Sequence, residues 1–260
     1  MYKLRSYQLS VTVGKEAAKR GVKAYIEMST GTVYNSNRSP QKESDKTSKP
    51  HTKQAKWKLA AEEELGKIPN LRLCVLRLPH VYGPYAGRWL GTQLALARLY
   101  QARNKDSKEK PETLKYLWSS DMRVNTLHVE DAALAAWQAA EWTSAQTSLP
   151  DGSSADARTV FNVVDKGNTS QGTMAAIVKD VFGIETGFQN TLVNTFARMN
   201  LEHVVDDLND DTLDDWADLL EDAGLKEHGG PLSPFMEKEL LRDADLCLDG
   251  SKFESVVGFK

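Results

Sequence analysis

The sequence predicts an α/β fold built on a parallel sheet, and three observations carry that expectation. Helical and strand-like periods alternate from Tyr7 to Leu78. The run "LRLCVLRL" from Leu71 is almost continuously apolar, as strands covered by helices on both faces are. An alanine-rich segment of helical period, "EDAALAAWQAAEW", stands between two short strand-like runs, "VNTLHV" and "RTVFNVVD".

Taken in order, Leu9, Val13 and Ala17 recur every four residues between Tyr7 and Arg20, which predicts a helix with those positions on its buried face; Gly21 ends it. "VKAYIEMS" follows as a strand, and a polar loop runs from Asn35 to Lys49 before Pro50. "HTKQAKWKLAAEEEL" is a helix and "LRLCVLRL" the next strand. After "VYGPYAGRW", "LGTQLALARLYQA" is helical and "RNKDSKEKPE" a solvated loop. "LKYLW" and "VNTLHV" are short strands, "LPDGSSADA" a loop, and "SQGTMAAIVKDVFG" a helix ended by Gly183. The acidic tract "VVDDLNDDTLDDWADLLEDAG" lacks the glycine and closing glutamate of a calcium loop. Leu208, Trp216, Leu219 and Leu220 are its expected buried positions, between solvated aspartates.

The bulk properties exclude several classes. With 260 residues, 40% apolar and 27% charged, the composition is that of a globular protein. A net charge of -3 gives no electrostatic reason to expect nucleic acid or an anionic membrane as partner. No apolar run approaches the roughly 18 residues that span a bilayer, and the amphipathic N-terminus has no signal-peptide centre. Cys74 and Cys247 are expected as reduced thiols, and the sequons at Asn37 and Asn168 as chance matches. Together these predict a cytoplasmic protein.

Four segments, "YIEMSTGTVY", "KQAKWKLAAEEEL", "LRLPHVYGP" and "RVNTLHVEDAALA", stand in the order and spacing found in the extended short-chain dehydrogenase/reductases. Over roughly Val22 to Ala136 the chain resembles their NAD(P)-dependent epimerase/dehydratase family. The resemblance implies an NAD or NADP cofactor and a small or sugar-like substrate. The implied fold is a Rossmann-type doubly wound sheet with a mostly helical C-terminal substrate-side region. Residues 1–88 would form the second half of the cofactor domain and 89–260 the substrate side, with 124–144 returning to the first. By the same resemblance Thr30 matches the catalytic Ser/Thr and Lys58 the catalytic lysine. Ser29, Lys58 and Pro79 fall at cofactor-side positions, and His80 and Arg123 at substrate-binding ones.

Two departures stand beside these matches. Gln54 occupies the place of the catalytic tyrosine, whose phenol a lysine one turn on would bring down from a pKa near 10. An amide hydrogen-bonds but has no usable pKa, so Gln54 predicts impaired proton transfer. The chain also contains no Gly-x-x-Gly-x-x-Gly run to let a backbone approach a pyrophosphate. The Rossmann sheet is therefore expected to be incomplete, with roughly 80 to 100 residues of a typical family member outside this sequence. "KAYIEMS" should then lie on an open sheet edge. A homodimer, or a partner covering that edge, is the expected assembly. A binding or regulatory protein on the same fold is the alternative function, and a gene-model fragment without independent function a further one.

Overall fold

The computed structural model describes residues 1–106, 110–147, 159–225 and 230–260. A π-helical turn (Lys3–Gln8) runs into α1 (Leu9–Lys19), followed by β1 (Tyr25–Thr30), a 3-10 turn (Gly31–Val33), α2 (Lys53–Leu65), β2 (Leu73–Leu78) and β3 (His80–Tyr82). Next come α3 (Leu90–Asp106), β4 (Thr113–Tyr116), β5 (Thr126–His128), α4 (Val129–Ala145) and β6 (Thr159–Asn162). The chain closes with α5 (Gln171–Phe182), β7 (Glu185–Phe188), α6 (Thr191–Met199), α7 (Leu201–Asp222) and α8 (Ser251–Val257). It divides into two compact units.

The first unit comprises residues 1–81, 124–168 and 244–260. Its sheet has the order β1-β2-β6, and both pairings are parallel. Every residue of β2 is buried, as its continuous apolar character predicts. Alternation along β2 divides the core into two layers. Leu73 and Val75 pack with Ala17 of α1 and Leu65 of α2, whereas Cys74, Leu76 and Leu78 pack with Ala132, Ala135 and Ala139 of α4 and Phe253 of α8. Helices thus cover both faces, which makes the sheet doubly wound. Among the described residues β1 pairs with β2 alone, so β1 is an edge strand.

The face predicted for the first helix is corrected here. Ala17 is buried, but Leu9 and Val13 are 57% and 47% exposed, and the inward positions are Ser6, Val11, Gly14 and Ala17. The cause is close packing at Gly14. A β-carbon built there would lie 2.3 Å from Leu65 Cδ2, so the glycine lets α1 settle directly on α2 and the helix rotates to keep it inward.

The second unit comprises residues 82–123 and 169–243. β4 and β7 pair in parallel, and Leu114 packs with Ala97 of α3, Val178 of α5 and Ile184. Ser170 and Asn190 cap α5 and α6 by accepting from the amides of Thr173 and Val193. Gly183 ends α5 at φ +65°, the left-handed geometry that a glycine adopts without penalty. The acidic tract is helical as α7; Leu208, Trp216, Leu219 and Leu220 are half-buried, and the fully buried positions are Val205 and Thr212.

Arg103, expected in a solvated loop, instead closes the last turns of α3, where it pairs with Asp211 at 3.2 Å and with Asp215. An acidic helix alongside makes ordered structure favourable for a residue whose charge alone suggested solvent. Residues 107–109 of that predicted loop and the whole of "LPDGSSADA" lie outside the described residues. No helix among the described residues is long and apolar enough to cross a membrane.

Candidate functional site

The end of β1 and the start of α2 bring most of the predicted residues together in the first unit. Where β1 ends, Thr30 turns extended backbone into the 3-10 turn. Its Oγ1 accepts from the Thr32 amide at 3.2 Å and shares a hydrogen with Thr32 Oγ1 at 2.9 Å. The same turn receives the entry of α2, because His51 N–H donates to the Thr32 carbonyl at 2.9 Å. Thr52 then caps α2, accepting from the Ala55 amide at 2.9 Å. The hydroxyl-bearing turn and the first turn of α2 are thereby fixed to each other by main-chain contacts.

Gln54 lies in that first turn and is exposed. Lys58, one turn on, reaches back to β1. Its Nζ donates to Glu27 Oε1 at 3.0 Å and to the Met28 carbonyl at 2.6 Å. Glu27 is buried, and Ser10 Oγ also donates to its Oε1 at 3.2 Å. Two of the three ammonium protons are therefore held by the strand.

Ser29 is buried, and its hydroxyl donates to Glu62 of α2. Glu62 in turn pairs with Arg77 of β2, whose Nη2 lies 2.7 Å from Oε2, with side-chain exposures of 0% and 4%. The Arg77 guanidinium lies 4.8 Å from the centroid of the Tyr34 ring, and the Tyr34 hydroxyl donates to Asn162 Oδ1 at 2.8 Å. Burial opposes the Arg77 charge, but the Glu62 carboxylate outweighs it and holds the guanidinium above its ordinary pKa. Burial likewise pushes the Tyr34 phenol up to about 12.

Pro79 is buried directly after β2. His80 is half-buried, and its N–H donates to the Asn125 carbonyl at 3.1 Å. Burial, helped by the neighbouring His51, lowers the His80 pKa from 6.5 to about 4. The imidazole is therefore neutral at pH 7. Arg123 belongs to the second unit, where its backbone forms an antiparallel bridge with Ser170.

The sequence reading passed over Glu27, Glu62, Arg77, Tyr34 and Asn162. A signal for two of them was available. Glu27 in "YIEMS" and Arg77 in "LRLCVLRL" are charges inside apolar strands, and a buried charge requires a partner.

The chemistry open to this arrangement is limited in kind. The Thr30–Thr32 hydroxyls, the Gln54 amide and the remaining Lys58 proton can orient a ligand. No phenol stands one turn before Lys58, and the Gln54 amide found there has no usable pKa. The residues also do not fit a dinucleotide by themselves. The sequence has no Gly-x-x-Gly-x-x-Gly turn, and Lys58 has two protons committed to β1.

Residues 3–149 match the model of the NAD dependent epimerase/dehydratase family. No curated protein sequence matches the chain. Among solved structures, the Bordetella bronchiseptica enzyme WbmG, in complex with NAD and UDP, aligns with a TM-score of 0.59 and 19% identity, over 99% of this chain and 61% of that one. Helicobacter pylori ADP-L-glycero-D-manno-heptose-6-epimerase aligns at 0.53 and 19% identity, over 70% of this chain and 53% of that one. UDP-N-acetylglucosamine 4-epimerase from Methanobrevibacter ruminantium M1, in complex with UDP-N-acetylmuramic acid, aligns at 0.52 and 20% identity, over 71% and 56%. At these identities the likeness is one of fold, and the chain spans little more than half the length of each.

Proposed function

Because the chain belongs to the NAD dependent epimerase/dehydratase family, we propose that it carries the second half of that family's site, with epimerase- or dehydratase-type chemistry on a sugar-nucleotide-like substrate impaired at the proton-transfer step. The first unit, residues 1–81, 124–168 and 244–260, corresponds to the NAD or NADP side of the family's site, and the second unit to its substrate side. Thr30 and Lys58 hold the retained catalytic positions, and Ser29 and Pro79 flank the cofactor. His80 and Arg123 are the proposed substrate contacts.

The observation that carries the impairment is the α2 face itself. Gln54 stands one turn before Lys58, and Lys58 is bound to Glu27 and the Met28 carbonyl. A missing acid or base costs on the order of 10²–10⁴ in rate. The exposed Gln54 amide favours a second reading, a ligand-binding protein without turnover, since it can donate and accept hydrogen bonds but cannot carry a proton.

The test measures NAD and UDP-sugar binding by calorimetry, together with turnover, for the 260-residue chain and its Gln54→Tyr variant. Weak NAD binding with a low, NAD-dependent rate that Gln54→Tyr raises supports the impaired enzyme. UDP-sugar binding with no turnover in either form supports the second reading. Tight NAD binding with robust turnover by the unaltered chain overturns both.

A further inference from the structure

Leu246, Cys247 and Leu248 are buried, and their backbone is held on both edges. On one edge, Gln41 N–H donates to the Cys247 carbonyl at 3.0 Å, and Asp249 N–H donates to the Gln41 carbonyl at 2.9 Å. On the other, Asn125 N–H donates to the Leu246 carbonyl at 3.0 Å, and Leu248 N–H donates to Asn125 Oδ1 at 2.8 Å. Parallel bridges join Gln41 to Leu248 and Val124 to Leu246. Residues 246–249 therefore form a strap inside the first unit.

The strap meets each part of the candidate site in that unit. Leu246 and Leu248 pack with Val33 and Tyr34 at the end of the 3-10 turn and with Ala55, which follows Gln54 in α2. The contact is closest at Gly31, where a β-carbon would lie 2.7 Å from Leu248 Cδ1 and 2.9 Å from Leu246 Cδ1. The turn that carries Thr30 and Thr32 thus rests directly on the two leucines. Asn125, itself buried, extends the same support to His80, because its carbonyl accepts the His80 N–H at 3.1 Å. The strap leucines belong to neither of the two core layers around β2, so the strap can open while the sheet stays closed.

We propose that residues 246–249 position the candidate site, with Asn125 as the clasp. The strap holds the Thr30–Thr32 turn, the Gln54 end of α2 and His80 in one arrangement, and its local release loosens all three together. Asn125 is a positioning residue, and its importance for function rests on the reading of this cluster as a ligand site.

Two buried thiols report on strap and sheet separately, Cys247 in the strap and Cys74 in the core beside β2. Labelling of each by a disulfide reagent is followed by peptide mapping in the unaltered chain and in Asn125→Leu. The His80 imidazole titration and the exchange of the His51 amide are read by NMR on the same proteins. Asn125→Leu removes the acceptor of Leu248 N–H, and stranding a buried donor favours opening by on the order of tenfold. Cys247 is expected to label faster by about that factor, with Cys74 unchanged. His80 should titrate upward from about 4 toward 6.5 as solvent reaches it, and the His51 amide, which donates to the Thr32 carbonyl, should exchange faster. Faster Cys247 labelling with His80 and His51 unmoved overturns the inference, and so does unchanged Cys247 labelling. If Asn125→Leu does not fold, or exposes both thiols alike, Gly31→Ala decides by the same readouts, because its methyl presses Leu246 and Leu248 from the turn side. Unchanged readouts in Gly31→Ala then overturn the inference. No readout requires a ligand or turnover, so a chain that binds and converts nothing would remove the proposed chemistry while these measurements still decide the strap.

Discussion

Removing one member of the Glu62–Arg77 pair should cost far more than removing both. The pair is closed to solvent on both sides, with Arg77 Nε also within 3.2 Å and 3.3 Å of the two Glu62 oxygens. Arg77→Met leaves the carboxylate facing the Ser29 hydroxyl without its guanidinium, and Glu62→Leu leaves a guanidinium with an aromatic face but without its carboxylate. Stranding one charge of a buried pair costs about 3–5 kcal/mol, whereas an apolar replacement of both is often close to neutral. At about 2–4 °C per kcal/mol for a chain of this size, each single variant should melt about 6–20 °C lower. The assay is a double-mutant cycle read by thermal melts. Hydrogen exchange at the β2 amides is added because the chain has two compact units and a single melting temperature mixes them. Single variants costing less than about 1 kcal/mol, or a double variant as unstable as the sum of the singles, would refute the reasoning.

Gly14→Ala should destabilise the first unit by about 1–3 kcal/mol in urea unfolding, because the new methyl meets the fully buried Leu65 and has Ile68 and Leu71 behind it at 3.5 Å. His80 should contribute an acid-sensitive share of stability. Its pKa is about 4 folded against 6.5 unfolded, so the contribution is complete above pH about 6.5 and is lost as pH falls through about 4. The shift sets a ceiling of about 3 kcal/mol, trimmed by the solvent that reaches a half-buried residue. Denaturation of the unaltered chain and His80→Gln across that window checks it, and parallel pH profiles would rule the contribution out.

The parallel sheet was legible because β2 needs both faces covered, and a continuous apolar run of strand length suits few positions but the middle of such a sheet. That Thr30 ends a strand and that Lys58 lies on the helix after it was legible through motif order and helical period. The phase of the first helix was not. Leu9 and Val13 gave a clean four-residue period, yet a glycine seated against Leu65 decides which side turns inward, and that contact joins positions far apart in sequence. The partner of Lys58 was hidden for a related reason. Spacing shows that a lysine lies on a given face but not whether a buried glutamate on another element will claim it.

The polar line from Ser29 through Glu62, Arg77 and Tyr34 to Asn162 also has a history in time. Tyr34 and Asn162 are 128 residues apart. At the 5–20 residues per second of protein synthesis, Asn162 and β6 emerge on the order of ten seconds after Tyr34. From the synthesis of β2 until that of β6, the nascent chain can hold β1 and β2 with a charged pair beneath them but leaves one whole flank of β2 uncovered. A chain refolding from denaturant meets no such wait, because β6 is present from the first collapse. The stretch most exposed to misassembly therefore belongs to the ribosome-bound chain, and it ends when β6 closes the flank.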